Sequence, residues 1–389
     1  MARPRSYNII LILCFVITIS TPLLGTLLSD NKDISEQEKR RLAPFPRIEW
    51  NWRAILTLPK ALEPYYNDHF FLRSQLVAAD SFLRMKLFRR SPIFVVLVGY
   101  DGWLFTISDW ALHDYLGINK LAESDAQTWK RVLSQRRQWA AQWGGHYLLA
   151  VAPNKMMVYP EHLPDRIKNN GGITALDSLN DFLEDSSEMQ SVLDLRSVMH
   201  REKPSHQLYF RNDTHWNSWG AYVAYREIMT RLKRWYPDLQ TLDRQRLTSR
   251  TKESPDGDLA LAMGLKDILS ESDEILSVKQ RCATAYVPVI TPLIAKKSQP
   301  VKSGCAQAAP LRVLVMGDSF ISSLEQYLSE SFQEVLYERD LDFNQMKDFI
   351  RAYRPDLILH IHVGRFMPRA FRLDADIDKE LAEAMDHSR

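Results

Sequence analysis

Apolar residues along this chain form short continuous runs that alternate with stretches of helical spacing, a pattern typical of α/β proteins. The short runs predict strands buried on both faces of a sheet. The predicted strands are residues 94–98, 147–152, 191–195, 313–316 and 357–363. Apolar positions repeating every three or four residues predict helices, at residues 62–88, 126–143, 177–183, 219–235, 321–332 and 374–387. We therefore expect an α/β domain with a mostly parallel central sheet.

The N-terminal segment differs, because residues 9–28 are twenty residues without a charge, long enough to cross a bilayer. Arg3 and Arg5 precede this run and favour a cytoplasmic N-terminus. A cleaved signal peptide is the alternative, but the run is long and lacks an Ala-x-Ala end. We predict one transmembrane helix in the inner (cytoplasmic) membrane that holds a catalytic domain in the periplasm.

These patterns divide the chain into three segments. Residues 1–29 are the predicted membrane anchor, and residues 30–92 the predicted extracytoplasmic linker with a packing helix. Residues 93–389 are the predicted catalytic domain, with a hairpin turn at residues 99–105. The periodicity fades near residues 244–310, which we interpret as a polar insertion in that domain.

Composition argues against several classes of protein. The net charge is +2 and the basic residues form no stripe, so we expect no nucleic-acid partner. The chain has 14 glycines and no glycine-rich phosphate loop, which argues against a nucleotide-dependent enzyme. It has no Cys-x-x-Cys pair, so a structural zinc site is not expected. Cys282 and Cys305 would form a disulfide in an oxidising compartment, and two free thiols are the alternative.

Ser319 is the candidate nucleophile. It follows the predicted strand 313–316 and Gly317, whose lack of a side chain permits a sharp turn. This layout sets a hydroxyl at a sheet edge and at a helix N-terminus, where free N–H groups favour a developing oxyanion. The plain alternative is that Asp318 or Ser319 only caps a helix.

A serine hydroxyl needs a base, most often a histidine held by a carboxylate. Asp213 and His215 lie two residues apart in a turn-like stretch, so both side chains can face the same way. The carboxylate would then accept from one ring nitrogen while the other nitrogen faces Ser319. Metal binding by Asp213 and His215 is the main alternative.

Other polar residues have weaker signals. Lys155 follows a predicted strand, at the end where open α/β sheets place ligand contacts. Asp68 and His69 are neighbours on a predicted helix and point in different directions, so we interpret them as a structural pair. His360 and His362 alternate on a predicted strand, where we expect a core role for at least one.

Six short motifs stand in order along the chain: Asn67 to Phe70 with Arg73, Gly99 to Phe105, Pro153 to Lys155 with Tyr159-Pro160, Asp213 to Asn217 with Gly220, Gly257-Asp258-Leu259, and Gly317 to Phe320. Together they resemble the alginate O-acetyltransferase family of AlgJ and AlgX, whose catalytic domain is similar to the SGNH hydrolases with the motif order permuted. The resemblance extends over about residues 35–370.

The resemblance implies an SGNH hydrolase-like three-layer domain in which Ser319 is the nucleophile, His215 the general base and Asp213 its orienting partner. It implies that acetyl groups move through an acetyl-serine onto hydroxyls of an alginate-like exopolysaccharide. We expect no cofactor, because the resemblance implies that a multi-pass membrane acyltransferase partner delivers the acetyl donor.

Further contacts to the oxyanion or the substrate are expected at Gly317, Lys155, Trp216 and Arg365, and no metal is expected. Trp103, Trp216 and Trp219 are candidates for stacking on sugar rings, with a place in the core as the alternative. The chain departs from the family pattern after its last predicted strand, where Gly364-Arg365 replaces an acidic–basic pair.

Two other functions remain open. A carbohydrate acetyl esterase would use the same three residues, because transfer and hydrolysis differ only in whether a sugar hydroxyl or water reaches the acyl-enzyme. A non-catalytic, membrane-tethered subunit that binds glycan is the other alternative. The presence of Asp213, His215 and Ser319 together argues against it.

Overall fold

The structure is a computed structural model that describes residues 5–28, 33–35, 40–254, 257–266, 268–279, 281–294, 299–339, 341–369 and 371–386. Arg3, used above to predict orientation, and His387, at the end of the last predicted helix, lie outside these residues.

The helices are Arg5–Leu28 (α1), Trp52–His69 (α2), Arg73–Phe88 (α3), Ala111–Tyr115 (α4), Glu123–Ala141 (α5), Lys155–Val158 (α6), Asp165–Lys168 (α7), Ala175–Leu183 (α8), Arg196–Glu202 (α9), Ser218–Leu232 (α10), Asp258–Ala262 (α11), Glu325–Ser331 (α12), Lys347–Tyr353 (α13) and Ala375–Asp386 (α14). Within the described ranges, no helix has both the length and the apolar character that a membrane span requires.

The strands are Ile34–Ser35 (β1), Arg40–Arg41 (β2), Val96–Val98 (β3), Leu104–Thr106 (β4), His146–Ala152 (β5), Val192–Asp194 (β6), Leu247–Ser254 (β7), Glu271–Val278 (β8), Val287–Pro288 (β9), Val301–Ser303 (β10), Ala309–Gly317 (β11), Phe332–Glu338 (β12) and Leu357–Val363 (β13). Short 3₁₀ helices cover Pro160–His162, Ser187–Ser191, Arg244–Arg246, Ser319–Ser323 and Gly364–Phe366.

The chain forms two compact units, and the first comprises residues 1–93 with residues 260–269. The single helix predicted over residues 62–88 is wrong, because the chain breaks between α2 and α3, where Leu72 has a left-handed φ of 66°. The helix also begins earlier than predicted, at Trp52, since the Asn51 side chain accepts the Ala54 N–H and caps it.

Asp68 and His69 hold the segment that precedes α2. The Asp68 carboxylate accepts two hydrogen bonds from the Arg40 guanidinium, at 2.8 and 2.6 Å, and one from the Ala43 N–H at 2.8 Å. The hydrogen bond from Arg40 is the main reason that the pKa of Asp68 lies well below its usual range. His69 Nε2 donates to the Ala43 carbonyl at 3.0 Å. The contacts of both side chains are therefore structural.

The second unit, residues 94–259 with residues 270–389, is built on a seven-stranded sheet in the order β6-β5-β13-β11-β12-β10-β9. Five neighbouring strands of this sheet are parallel: β6, β5, β13, β11 and β12. Strand β10 runs antiparallel to both β12 and β9. The sheet is therefore mixed, with a parallel centre.

Both faces of this sheet are covered. In β11, Val313 and Val315 face a core that includes side chains of α9, α10 and α12. The alternate residues Leu314 and Met316 face a second core, with side chains of α5, α8 and α13. Because successive side chains of a strand point to opposite faces, an unbroken apolar run is what such a central strand requires. The result is a three-layer α/β domain.

All five predicted strands are present, as β3, β5, β6, β11 and β13. The helix predicted over residues 321–332 is partly wrong, because a 3₁₀ helix and α12 share that segment and Phe332 begins β12. The predicted polar insertion contains β7 to β10, two of which join the main sheet. β9 and β10 have two and three residues, too few to give a periodic pattern.

Cys282 and Cys305 form a disulfide, which is one of the two alternatives that the sequence left open. Glu330 of α12 accepts the backbone N–H groups of Cys282 and Ala283, at 2.8 and 3.0 Å. The disulfide segment is thereby attached to α12.

Gly317 at the end of β11 gives a testable prediction. Its φ is 146°, and a Cβ on it would lie 1.7 Å from the Ile361 carbonyl oxygen of β13. We expect Gly317→Ala to lower the free energy of unfolding by at least about 2 kcal/mol, because backbone would have to move. Gly102→Ala is the control: φ is 79° but no atom lies within 4 Å, so strain alone costs about 1 kcal/mol. Equal losses in urea denaturation would contradict this account.

Candidate active site

Three adjacent parallel strands end at one edge of the sheet. The register pairs Gly317 of β11 with Ile361 of β13, and Val363 of β13 with Ala152 of β5. The segments that follow these strands are therefore brought together, at the edge where open α/β sheets bind ligands.

The segment after β11 presents Ser319 to solvent as the first residue of a 3₁₀ helix. Asp318 fixes this turn, because its carboxylate accepts the Phe320 N–H at 3.0 Å and the Val363 N–H at 2.7 Å. The Ser319 N–H makes no hydrogen bond to a described residue. It is therefore free to bind an oxyanion.

His215 lies against Ser319 although 104 residues separate them. The Ser319 hydroxyl donates to His215 Nε2 at 2.6 Å, and His215 Nδ1 donates to Asp213 Oδ1 at 2.7 Å. The same carboxylate oxygen accepts the His215 backbone N–H at 2.8 Å. Asp213, His215 and Ser319 thus form one continuous hydrogen-bonded chain.

Asp258 completes the support of this chain. Its backbone N–H donates to the second oxygen of Asp213 at 2.9 Å. Its own carboxylate accepts the Thr214 N–H at 2.8 Å and the Thr214 hydroxyl at 2.5 Å. Asp258 therefore fixes both the residue that precedes His215 and the carboxylate that orients it.

The two partners shift each other's ionisation. Burial lowers the pKa of His215, but the hydrogen bond and the charge of Asp213 outweigh it, so the pKa is raised overall. Burial raises the pKa of Asp213, but its hydrogen bonds and the nearby His215 outweigh that effect and lower it. The pair is therefore arranged as a carboxylate that increases the basicity of the imidazole.

Lys155, predicted as a substrate contact, instead holds the loop that contains Asp213. Its buried ammonium donates to the carbonyl oxygens of Phe210, Arg211 and Asp213, at 3.0, 3.1 and 2.5 Å. Burial lowers the pKa of Lys155 to about 8, against the opposing charges of nearby carboxylates. An ammonium has three donors, and the three loop carbonyls use all of them, so the contacts of Lys155 support the loop. The substrate contact stays a prediction.

The three tryptophans considered as sugar platforms all lie in the core of this unit: Trp103, Trp216 and Trp219. Trp216 is 0% exposed and packs edge-on against Phe320 at 4.9 Å between ring centroids. Phe320 in turn contacts the His215 ring at 5.0 Å. Trp216 thus packs against the ring that contacts the His215 imidazole. The contact with substrate stays a prediction.

Arg365 follows β13 and reaches the same edge of the sheet. It is 8% exposed, and its Nη1 donates to Asn154 Oδ1 at 3.3 Å. Asn154 Nδ2 donates to Asp114 Oδ2 at 3.1 Å. Burial is the main reason that the pKa of Asp114 rises to about 6.

Two histidines of β13 lie behind the Ser319 turn. His360 Nδ1 lies 3.2 Å from the Tyr147 hydroxyl, in the core. His362 Nδ1 lies 3.8 Å from Asp318 Oδ2. Burial lowers the pKa of both rings, so both are neutral at pH 7.

Asp213, His215 and Asp258 form a cluster of groups of the kind that can bind a metal ion. Ligand atoms of Asp213, His215 and Asp258 lie within 4.8 Å of one another. Each oxygen of the two carboxylates, however, already accepts an N–H or O–H of the chain. The hydrogen bonds therefore account for this cluster as the support of His215.

Sequence reasoning did not assign roles to Asp258, Thr214, Asn154 and Asp114. Asp258 lies 44 residues after Thr214 and Asp114 lies 40 residues before Asn154, so no local pattern links them. Asp258, Thr214 and Asn154 lie within three of the six motifs, which was the available signal, whereas Asp114 lies in none of them.

A family model described as the SGNH hydrolase-like domain of acetyltransferase AlgX matches residues 96–347. This range is more than half of the 389 residues. The chain belongs to this family, the AlgJ/AlgX family. Its α/β fold with a mixed sheet is the SGNH hydrolase-like fold.

Two curated relatives are probable alginate O-acetylases named AlgJ. The protein from Pseudomonas putida is 29% identical over 214 residues, which is 54% of this chain and 51% of that protein. The protein from Pseudomonas syringae pv. tomato is 27% identical over 213 residues, 54% of this chain and 52% of that protein. The matched region thus spans about half the length of these relatives. Bacillus cereus PatB1, solved with a sulfonyl adduct, is similar in fold, with a TM-score of 0.51, 14% identity and coverage of 72% of this chain and 100% of that chain.

The pKa of His215 gives a second prediction. Without the Asp213 carboxylate, burial dominates, so in Asp213→Asn the pKa of His215 should fall below its ordinary value of about 6.5. NMR titration of the imidazole measures this, with His200, which does not contact Asp213, as an internal reference. A pKa that stays raised in the variant would contradict the assigned contact.

The same substitution predicts a stability profile. Because the folded-state pKa of His215 is raised, its contribution is present below pH 6.5 and is lost as the pH rises through that raised pKa. Because the pKa of Asp213 is lowered, its contribution is lost as the pH falls below its ordinary value of about 3.9. The stability difference between wild type and Asp213→Asn should be largest between about pH 4 and 6.5.

Lys155 gives a further prediction. Lys155→Met removes the described donor of the Phe210 and Asp213 carbonyls and leaves the Arg211 carbonyl with the Leu104 N–H alone. We therefore expect a loss of about 1–3 kcal/mol in unfolding free energy and faster amide exchange in residues 209–217. Lys302→Met is the matched control, since its exposed ion pair with Glu334 is worth less than about 1 kcal/mol. Unchanged exchange in Lys155→Met would contradict the proposed loop support.

Proposed function

We propose that this protein is an O-acetyltransferase that moves acetyl groups onto hydroxyls of an alginate-like exopolysaccharide. The observation that carries the proposal is the hydrogen-bonded chain from Asp213 through His215 to the exposed Ser319 hydroxyl. Membership of the AlgJ/AlgX family and the names of the two AlgJ relatives support acetyl transfer as the reaction.

The first half of the reaction forms an acetyl-serine. His215 Nε2 takes the hydroxyl proton as Ser319 Oγ attacks the carbonyl carbon of the acetyl donor. Asp213 stabilises the imidazolium that results. The Ser319 N–H faces the developing oxyanion, and one such donor commonly lowers the activation barrier by about 2.7–4 kcal/mol. His215 then gives its proton to the leaving group, and the acetyl group remains on Ser319.

The second half transfers the acetyl group to sugar. A sugar hydroxyl attacks the acetyl-serine carbonyl while His215 Nε2 takes its proton. The tetrahedral intermediate collapses to the sugar ester, and His215 returns the proton to Ser319 Oγ. No cofactor enters either half, and Gly317 shapes the turn that positions the nucleophile.

The cellular setting is part of the proposal. The uncharged run at residues 9–28 would anchor the protein in the inner membrane, with the catalytic domain in the periplasm. Acetyl groups made in the cytoplasm must then cross the membrane. A multi-pass membrane acyltransferase is therefore the partner that would supply the donor.

The test uses a chromogenic acetyl ester as donor and an oligouronate as acceptor, with mass spectrometry of the oligosaccharide. We expect acetyl gain with wild type and a loss on the order of 10⁴-fold or more with Ser319→Ala, because the nucleophile is gone. Ser322→Ala is the matched control, an exposed serine of the same 3₁₀ helix. A chelator should leave the rate unchanged.

The outcomes separate the candidate functions. Ester cleavage without sugar acetylation, lost in Ser319→Ala, would favour the esterase. Equal turnover by wild type and Ser319→Ala would refute Ser319 as the nucleophile. No turnover by either protein would favour the binding subunit.

A further inference from the structure

Arg365 is a buried cation without a counter-ion. Within the described ranges it makes no ion pair, its Nε has no hydrogen-bond partner, and one neutral acceptor, Asn154 Oδ1, contacts its Nη1. A comparably placed arginine, Arg196, binds the carboxylates of both Asp194 and Asp177 at 2.6 Å. A buried charge is unfavourable unless it is paired, and no described carboxylate lies in ion-pair contact with Arg365.

Aromatic contacts do not replace that anion. Arg136, another buried arginine, lies between the rings of Phe343 and Phe371 at 4.4 and 4.3 Å and makes two hydrogen bonds. The corresponding distances from Arg365 to Phe366 and Phe320 are 5.1 and 6.0 Å. These longer contacts leave more of the charge of Arg365 uncompensated.

The cradle of Arg365 is built and neutral. Asn154 is buried, and its amide is oriented by Asp114, so that its carbonyl oxygen faces the guanidinium. The second oxygen of Asp114 accepts the Ala175 N–H at 3.2 Å. Asn154 therefore separates the Asp114 carboxylate from Arg365. The guanidinium is held by a neutral amide and forms no ion pair with Asp114.

Arg365 also acts on the catalytic base. It packs near Phe320, the residue after Ser319, and its charge lowers the pKa of His215 against the opposing effect of Asp213. The carboxylates that act on Arg365 through space are Asp318, Asp109 and Asp258. The first and last of these already accept hydrogen bonds from backbone N–H groups.

We propose that Arg365 recognises the carboxylate of a uronate residue in the acceptor glycan and so sets the enzyme's preference for acidic polysaccharide. This inference rests on the proposed acetyl transfer and names the residue that recognises its acceptor. Guanidinium pairs with carboxylate through charge-assisted hydrogen bonds, and partial burial strengthens that pairing. The bound carboxylate also offsets the positive charge near His215, so the base becomes stronger when the acceptor is in place.

The experiment compares two acceptors, an oligomannuronate and its carboxyl-reduced oligomannose counterpart, with one acetyl ester as donor. We expect wild type to prefer the oligomannuronate in kcat/KM by about 10- to 100-fold, the range for a hydrogen-bonded charge. Arg365→Gln should lose that preference mainly by raising KM for the oligomannuronate. The rate of acetyl ester cleavage by Arg365→Gln should decline far less. The acidic limb of the pH profile of ester cleavage should move to higher pH, because removal of the positive charge raises the pKa of His215.

Arg369→Gln is the matched control, since Arg369 is exposed, lies on the same segment and carries the same charge. The proposal is overturned if Arg369→Gln reduces oligomannuronate transfer as much as Arg365→Gln does. It is equally overturned if Arg365→Gln loses ester cleavage in the same proportion, because Arg365 would then act on the oxyanion.

The wild-type measurement needs no variant to fold. Equal transfer to both acceptors refutes the carboxylate role alone and leaves the transferase intact. Ester cleavage without transfer to either acceptor refutes the proposed transferase and the carboxylate role with it.

Discussion

The candidate site depends on one buried cation, the Lys155 ammonium, bound to three carbonyl oxygens of the loop at residues 210–213. Lys155 follows β5 directly, so this contact attaches an irregular loop to the rigid centre of the sheet. An imidazole must be held within a few tenths of an ångström to share a proton with a serine hydroxyl. Among the described residues, Lys155 is the donor to the Phe210 and Asp213 carbonyls, whereas the Arg211 carbonyl also accepts the Leu104 N–H at 2.8 Å.

Charges around His215 are balanced in an informative way. Asp213 and Asp258 lie on one side of the ring and make it more basic, whereas Arg365 makes it less basic. Each carboxylate accepts hydrogen bonds from the chain, whereas no described carboxylate contacts the Arg365 guanidinium. The proposed uronate acceptor would pair with this charge.

Local sequence patterns were sufficient to predict the strand and the turns that hold the candidate site. The apolar run at residues 313–316 needs a sheet with two covered faces, and Gly317 needs the close approach of Ile361. The side chains of Asp213 and His215 face the same way, as their two-residue spacing predicts, because the turn lets one carboxylate oxygen accept from both the ring and the backbone of His215. The contact between His215 and Ser319 spans 104 residues, so only family resemblance could suggest it.

The contacts of Lys155 and Trp216 depend on the tertiary environment and could not be predicted from the sequence. Lys155 and Trp216 occur next to the right motifs, but sequence does not tell whether a side chain faces solvent or the core. Lys155 donates to backbone carbonyls such as that of Asp213, and Trp216 packs against Phe320, so both side chains support the site from the protein core. The most direct test of the acetyl-serine intermediate is to mix the protein with an acetyl ester, stop the reaction rapidly and locate the acetyl group by peptide mass spectrometry. We expect acetylation of Ser319 that disappears when acceptor glycan is added. Acetyl on another residue, or an acetyl-Ser319 that never transfers to glycan, would contradict this expectation.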